Sequence, residues 1–357
     1  MTTNDARQVD DAAVRERAVK TAVERRRTPV NEAIKDHLPI VDPERLHEAS
    51  RYLLDAGGKR LRPTMMLLVG EAIAEAGLDE IDYTSVPDVD GAPVDLMAAA
   101  VSVEVIQSFT LIHDDIMDED PLRRGVPSVH EAYDTETAIL AGDTLYSMAF
   151  EIMAETDAPP ARTTESMRRL AATCTKICEG QSLDVEFEDR TDVTVEEYME
   201  MVEHKTAVLY AASASIPAVL LGADEAIVEA LYGYGVDVGR GFQIQDDVLD
   251  LTVPSEKLGK QRGSDLVEDK QTLITVHASQ QGVDVDALVD AETPEAVTET
   301  EVDAAVERLH EAGSIEYART EARDLIESGK DRLSVLPDSE ARDTLRMVAD
   351  YLIERGY

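Results

Sequence analysis

Apolar residues recur along most of this chain at spacings of three and four, the repeat of a helix with one buried face. The stretches LRPTMMLLVGEAIAEAG (61–77), VDLMAAAVSVEVIQSFTLIHDD (94–115), TAILAGDTLYSMAFEIMAE (137–155) and AVLYAASASIPAVLLGA (207–223) are apolar on nearly every side. Such helices belong inside a bundle rather than on its surface. No stretch alternates convincingly with the period of two that a strand requires. Two polar breaks, 78–93 and roughly 280–300, are rich in Asp, Thr, Pro and Gly and read as acidic surface loops. The pattern predicts one all-α domain of ten or more helices over 29–357, preceded by a charged helical lead-in over 1–28.

Composition sharpens this picture. There are 74 Asp plus Glu against 34 Lys plus Arg, a formal charge of −40. Nucleic acid is excluded as a partner, because duplex binding needs cations to displace phosphate counterions. No run approaches the roughly 18 apolar residues of a membrane span, so no stable membrane insertion is expected. The N-terminus has no secretory core, which points to the cytoplasm. Cys174 and Cys178 lie one helical turn apart and read as buried thiols in a reducing compartment, not zinc ligands.

Against that acidic background, two motifs concentrate charge further. DDIMD supplies Asp114, Asp115 and Asp118; DDVLD supplies Asp246, Asp247 and Asp250. First and last carboxylates sit at i, i+4 on one helix face, where like charges destabilise a helix unless a cation neutralises them. Oxygen ligands of this kind suit Mg2+, which keeps waters and takes substrate phosphates as further ligands. Both motifs follow apolar helical stretches, VEVIQSFTLIH and GFQIQ, where a solvated acidic face is not expected.

The basic residues are also placed unevenly. GGKRLRP (57–63) puts Lys59, Arg60 and Arg62 at a glycine-marked turn before a helix, a good anion site. Arg123 and Arg124 follow the first aspartates and offer forked donors to diphosphate oxygens. Lysine is scarce, nine against twenty-five arginines, yet Lys59, Lys205, Lys257, Lys260 and Lys270 fall beside these motifs. Gln107, Gln181, Asp184, Thr206, Gln243 and Gln245 are polar residues in apolar helices. Taken singly, each is more often a satisfied buried side chain than a site residue.

As a set, in the order GGKRLRP, DDIMDEDPLRRG, GQSLD, KT, FQIQDDVLD, GK, DL and K, these motifs resemble the trans-type, head-to-tail isoprenyl diphosphate synthases, archaeal short-chain members above all. The resemblance covers about residues 55–275. It implies an all-α bundle around a deep central cavity, a homodimer, and the two aspartate motifs facing each other across the cavity mouth. It further implies Mg2+, three ions per active site with Mn2+ able to substitute, on Asp114, Asp118 and Asp246. Asp115, Asp247 and Asp250 would bind through water or hold the surrounding shell. Arg123, Lys205, Lys260, Lys270 and Gln181 would hold an allylic diphosphate. Lys59, Arg62, Gln107, Arg124 and Phe242 would hold isopentenyl diphosphate. Thr206 and Gln243 would flank the allylic cation. Two departures stand out. Gln107 replaces a histidine common in the family, and a one-residue expansion in GKQRGSD leaves the alignment of Asp265 open.

Phe109, five residues before Asp114 and about 7.5 Å back along the helix, would be the floor that stops chain growth; Thr110 beside it is small. The resemblance then implies a geranylgeranyl product from dimethylallyl, geranyl or farnesyl diphosphate. A farnesyl or farnesylgeranyl product is the alternative. Rival readings are a class I terpene cyclase, a non-catalytic synthase subunit, and a halophilic helical binding protein. A cyclase would not need GGKRLRP or Arg124, and a non-catalytic subunit would carry degraded aspartate motifs.

The distributed acidity reads as adaptation to high salt, where the Debye length is about 3 Å at 1 M and self-repulsion is screened. The helical circular dichroism signal should therefore fall on transfer from molar to low-millimolar KCl. An unchanged spectrum contradicts the reading.

Overall fold

The computed structural model describes residues 3–77, 81–188, 190–255, 261–291, 293 and 296–354, with side chains from Arg15 onward. In chain order the helices are α1 (Thr3–His37), α2 (Glu44–Asp55), α3 (Leu61–Ala74), α4 (Leu96–Met117), α5 (Val129–Ala132), α6 (Thr135–Ala154), α7 (Pro160–Glu188) and α8 (Val195–Val202). After a π-helical stretch, Glu203–Ala207, come α9 (Val208–Leu221), α10 (Glu225–Thr252), α11 (Ser264–Val267), α12 (Leu273–Gln280), α13 (Glu299–Glu311), α14 (Ser314–Arg332) and α15 (Glu340–Glu354). The expected all-α class with more than ten helices holds. Its only strands among the described residues are two-residue antiparallel pairs, Val86–Pro87 with Pro93–Val94 and Leu122–Arg123 with Val126–Pro127.

The chain divides into two compact units. The first comprises Met1–Ala172, Ala212–Tyr232 and Ser334–Val348. The second comprises Thr173–Ala211, Gly233–Leu333 and Ala349–Tyr357.

In the first unit, α4 is the central helix. Its entry is fixed by the Asp95 side chain, which accepts from the Ala98 N–H at 2.8 Å. Its apolar length packs on α3 and α6. Close approach needs small residues. A Cβ on Gly70 of α3 would lie 2.3 Å from Leu96 Cδ1, and one on Gly142 of α6 would lie 2.2 Å from His113 Nε2. Ser102 Oγ donates to the Ala149 carbonyl at 2.7 Å, a polar stitch inside this apolar contact. By length and hydropathy α4 could cross a membrane, contrary to the reading that no run is long enough. Most of that stretch is buried against its neighbours, which identifies it as a core helix.

The second unit has its own apolar core. It gathers Phe187, Tyr198, Val202, Ile244, Val248, Leu273, Ala305 and Ile315 from α7, α8, α10 and α12–α14. Cys174 is buried there and Cys178 is exposed, so only one thiol is buried as expected. Neither forms a disulfide, and burial pushes the Cys174 thiol up to about 12.

The helix that carries the charged N-terminal segment, α1, continues through Pro29 to His37. Arg26 ties it down. Its guanidinium donates twice to Glu71 of α3, at 2.7 and 2.6 Å, and Tyr83 OH donates to the same carboxylate at 2.5 Å. Arg26 and Glu71 are both buried. Arg26→Met should leave Glu71 charged and under-paired, at a cost of about 3–5 kcal/mol. Urea unfolding of the two proteins in the same salt checks this.

Candidate active site

The first motif closes α4. Asp114 is half-buried and Asp118, the C-cap, is exposed, while Asp115 between them is fully buried. Asp115 Oδ1 accepts from Arg123 Nε at 2.6 Å, and Arg123 Nη2 donates to Asp120 at 2.8 Å. Asp115 Oδ2 has no hydrogen-bond partner. Burial raises the Asp115 carboxyl above its ordinary value, against the pull of Arg123. The tight turn after Arg123 needs a positive φ at both Arg124 (54°) and Gly125 (78°), and glycine supplies that without strain.

Arg124 reaches the GGKRLRP turn. Its Nη1 donates to the carbonyls of Leu53, at 3.0 Å, and Gly57, and its Nη2 lies 3.6 Å from Glu104 Oε1. Arg124 thus reaches Gly57 of the turn that carries Lys59 and Arg62. Arg60 takes φ 52° and turns inward, donating to Glu104 at 2.5 Å, Asn31 at 2.9 Å and the Leu54 carbonyl at 2.7 Å. A Cβ on Gly58 would lie 3.0 Å from the Arg60 side chain and 3.1 Å from that of Arg124, so glycine keeps both arginines against the turn. Gln107 is half-buried on α4. The Phe109 ring meets His113 and Tyr146 at centroid distances of 5.0 and 5.2 Å, and Thr110 Oγ1 donates to the Gln107 carbonyl.

In the second unit, the second motif lies in α10. Asp246 is half-buried, whereas Asp247 and Asp250 are buried. Asp247 accepts from Tyr198 OH at 2.6 Å and from Gln243 Nε2 at 3.0 Å. Asp250 accepts from Ser264 Oγ at 3.0 Å and from the Asp265 N–H at 3.3 Å, which puts Asp265 beside the motif despite the expanded loop. Burial, then Asp265 and Asp246, push the Asp247 carboxyl up to about 8, although Tyr198 and Gln243 oppose the shift. Lys205 and Thr206 sit on the π-helical stretch. Lys205 pairs with Asp184, and Thr206 Oγ1 donates to Gln243 Oε1 at 3.0 Å. Gln181 is buried with both amide atoms unpartnered. Phe242 packs 5.5 Å from Tyr210, and Lys270 pairs with Glu268 at 2.8 Å. Gln245 lines a cavity with Arg319 and Asp350. Lys257 and Lys260 lie outside the described residues.

Comparison with known proteins decides the family. Residues 43–309 match the polyprenyl synthetase family model. The chain belongs to the polyprenyl synthetase family. It is 62% identical to a geranylfarnesyl diphosphate synthase of Natronomonas pharaonis, over 95% of this chain and 98% of that one. The solved geranylgeranyl pyrophosphate synthetase of Geoglobus acetivorans superposes with a TM-score of 0.82 at 43% identity, covering 93% of this chain and 99% of its own. A Caulobacter crescentus polyprenyl synthase, solved with calcium and isoprenyl diphosphate, gives 0.79 at 30% identity, covering 96% and 97%. This polyprenyl synthetase is therefore a prenyltransferase with the all-α isoprenoid synthase fold.

Its carboxylates fit a divalent cation only with help. Among the described residues no three His, Cys, Asp or Glu side chains come together as a ready metal cage. Mg2+ takes one or two carboxylates and completes its shell with phosphate oxygens and water. A cation held by the more open Asp114 or Asp246 would offset the charge of their buried neighbours Asp115 and Asp247.

Two residues that set this geometry, Tyr198 and Glu104, carried no signal in the sequence, and Gly180 stood in the GQSLD motif without a role. A Cβ on Gly180 of α7 would lie 2.2 Å from the Lys205 backbone nitrogen. Glycine in GQSLD thus lets α7 reach the π-helical stretch. Gly180→Ala should displace Lys205, destabilise the fold by about 1–3 kcal/mol and lower kcat. A variant with wild-type melting and turnover contradicts this placement.

Proposed function

We propose that this prenyltransferase condenses isopentenyl diphosphate with an allylic diphosphate, in the presence of Mg2+, to give geranylgeranyl diphosphate and diphosphate. The observation that carries the reading is the partition within each aspartate motif. The middle residues Asp115 and Asp247 are buried on protein donors, while Asp114, Asp118 and Asp246 are left more open. The more open set would hold Mg2+, three ions per site, which neutralises charge on the departing diphosphate.

Arg123, Lys205, Lys260, Lys270 and Gln181 bind the allylic diphosphate. As its carbon–oxygen bond breaks, the electron pair leaves with the diphosphate, and Thr206 and Gln243 flank the allylic cation. Lys59, Arg62, Gln107 and Arg124 hold isopentenyl diphosphate, with Phe242 packed beside it. Its double bond attacks the cation, a carbon–carbon bond forms, and a proton passes to the released diphosphate. Exclusion of water protects the cation from capture. The synthase domain of 29–357 works as a homodimer in the cytoplasm; exposed Ile139, Leu140 and Tyr146 along α6 support a covered face.

The buried Phe109 ring, braced by two neighbouring rings, supports a fixed floor and a twenty-carbon product. The 62% identical relative named a geranylfarnesyl diphosphate synthase favours a second reading, a twenty-five-carbon product. Product analysis in molar KCl with Mg2+, labelled isopentenyl diphosphate and each allylic starter separates them. Geranylgeranyl diphosphate should dominate, EDTA should abolish it, and Phe109→Ala should lengthen it. A dominant geranylfarnesyl product supports the second reading, and an unchanged Phe109→Ala distribution removes Phe109 as the floor.

A further inference from the structure

α10 meets the chain running into and within α9 at a regular spacing. On α10, residues 235, 239, 243 and 247 follow one another at i, i+4 on one face. A Cβ on Gly235 would lie 2.3 Å from Ala211 Cα, and one on Gly239 would lie 2.5 Å from Ala207 Cα. Further along the same face, Gln243 receives Thr206 at 3.0 Å and Asp247 receives Tyr198 at 2.6 Å. Backbone contact through glycine thus gives way to two hydrogen-bonded tethers. Both partners stand on one continuous piece of chain, since α8 runs directly into the π-helical stretch. A capping box, Thr194 with Glu197, fixes the start of α8.

The direction of each bond is set by chemistry. The Gln243 amide turns its NH2 toward Asp247 Oδ1, and its carbonyl oxygen accepts from Thr206 Oγ1. Asp247 is held in place in turn by the phenol of Tyr198, which is 1% exposed and donates to the other carboxylate oxygen. A phenylalanine would fill the same space without the hydroxyl, which donates to Asp247 and also faces the Leu273 backbone N–H.

We propose that Tyr198 is a positioning residue for the ionisation step, anchoring Asp247 so that Gln243 presents its carbonyl oxygen, the negative end of its dipole, beside Thr206. This rests on the reading that Gln243 and Thr206 flank the allylic cation. Without the anchor the amide loses its fixed orientation. The cation forms more slowly and is more open to water, whose oxygen bonds to the allylic carbon with loss of a proton to give a prenyl alcohol.

The test is a double-mutant cycle of Tyr198→Phe and Gln243→Ala on the full chain in high salt. Thermal melting without metal comes first, and Tyr198→Phe should melt within about 5 °C of wild type. A larger fall assigns Tyr198 to core packing and overturns the proposal. With Mg2+ and both substrates, Tyr198→Phe should lower kcat roughly tenfold, leave both KM values within about twofold, and raise the alcohol fraction. Because Tyr198 acts through Gln243, the double variant should be no slower than Gln243→Ala alone. Unchanged kcat in Tyr198→Phe, or losses that multiply, overturns the proposal while the role of Gln243 stands. Wild-type turnover in Gln243→Ala overturns that role, and the proposal with it.

Discussion

Burying a carboxylate is costly unless donors meet it, and this chain buries carboxylates at both of its aspartate motifs. Asp115, Asp247 and Asp250 are removed from water in a molecule that carries a formal charge of −40. Each is met by protein donors: Arg123 for Asp115, Tyr198 and Gln243 for Asp247, Ser264 and a backbone N–H for Asp250. The donors do not balance the charge at Asp247, which still favours its proton up to about pH 8. The buried aspartates fix the helix ends, and the more open ones are left for metal and diphosphate.

Small residues make that arrangement geometrically possible. Gly142 admits His113 between α4 and α6, Gly180 admits the Lys205 backbone, and Gly235 and Gly239 bring α10 against the chain before and within α9. Alanine and glycine therefore carry the packing where larger side chains would hold the functional groups apart. The π-helical stretch at Glu203–Ala207 adds a local widening at the point where Lys205 and Thr206 are presented.

Much of this was legible in the sequence. Helical periodicity fixed the all-α class, and the spacing of DDIMD and DDVLD marked both acidic clusters, because i, i+4 geometry is local. Long-range partners were not legible. Tyr198 reads as one more apolar position in EEYMEMV, and Glu104 as one more acid in an acidic chain; each acquires meaning only from a residue dozens of positions away. Arg60 misled for a similar reason. Its company in GGKRLRP suggested an anion site, but a left-handed backbone turns it onto Glu104. The N-terminal helix passes through residue 28 to His37, and its Arg26 pairs with Glu71 of α3, a contact no local pattern reveals.

The most direct test is a crystal structure with Mn2+ and an unreactive allylic diphosphate analogue, with the metals located by anomalous scattering. The account predicts direct metal contacts from Asp114, Asp118 and Asp246, with Asp115 still on Arg123 and Asp247 still on Tyr198. Metals bound directly by Asp115 or Asp247, with those donors displaced, would contradict it.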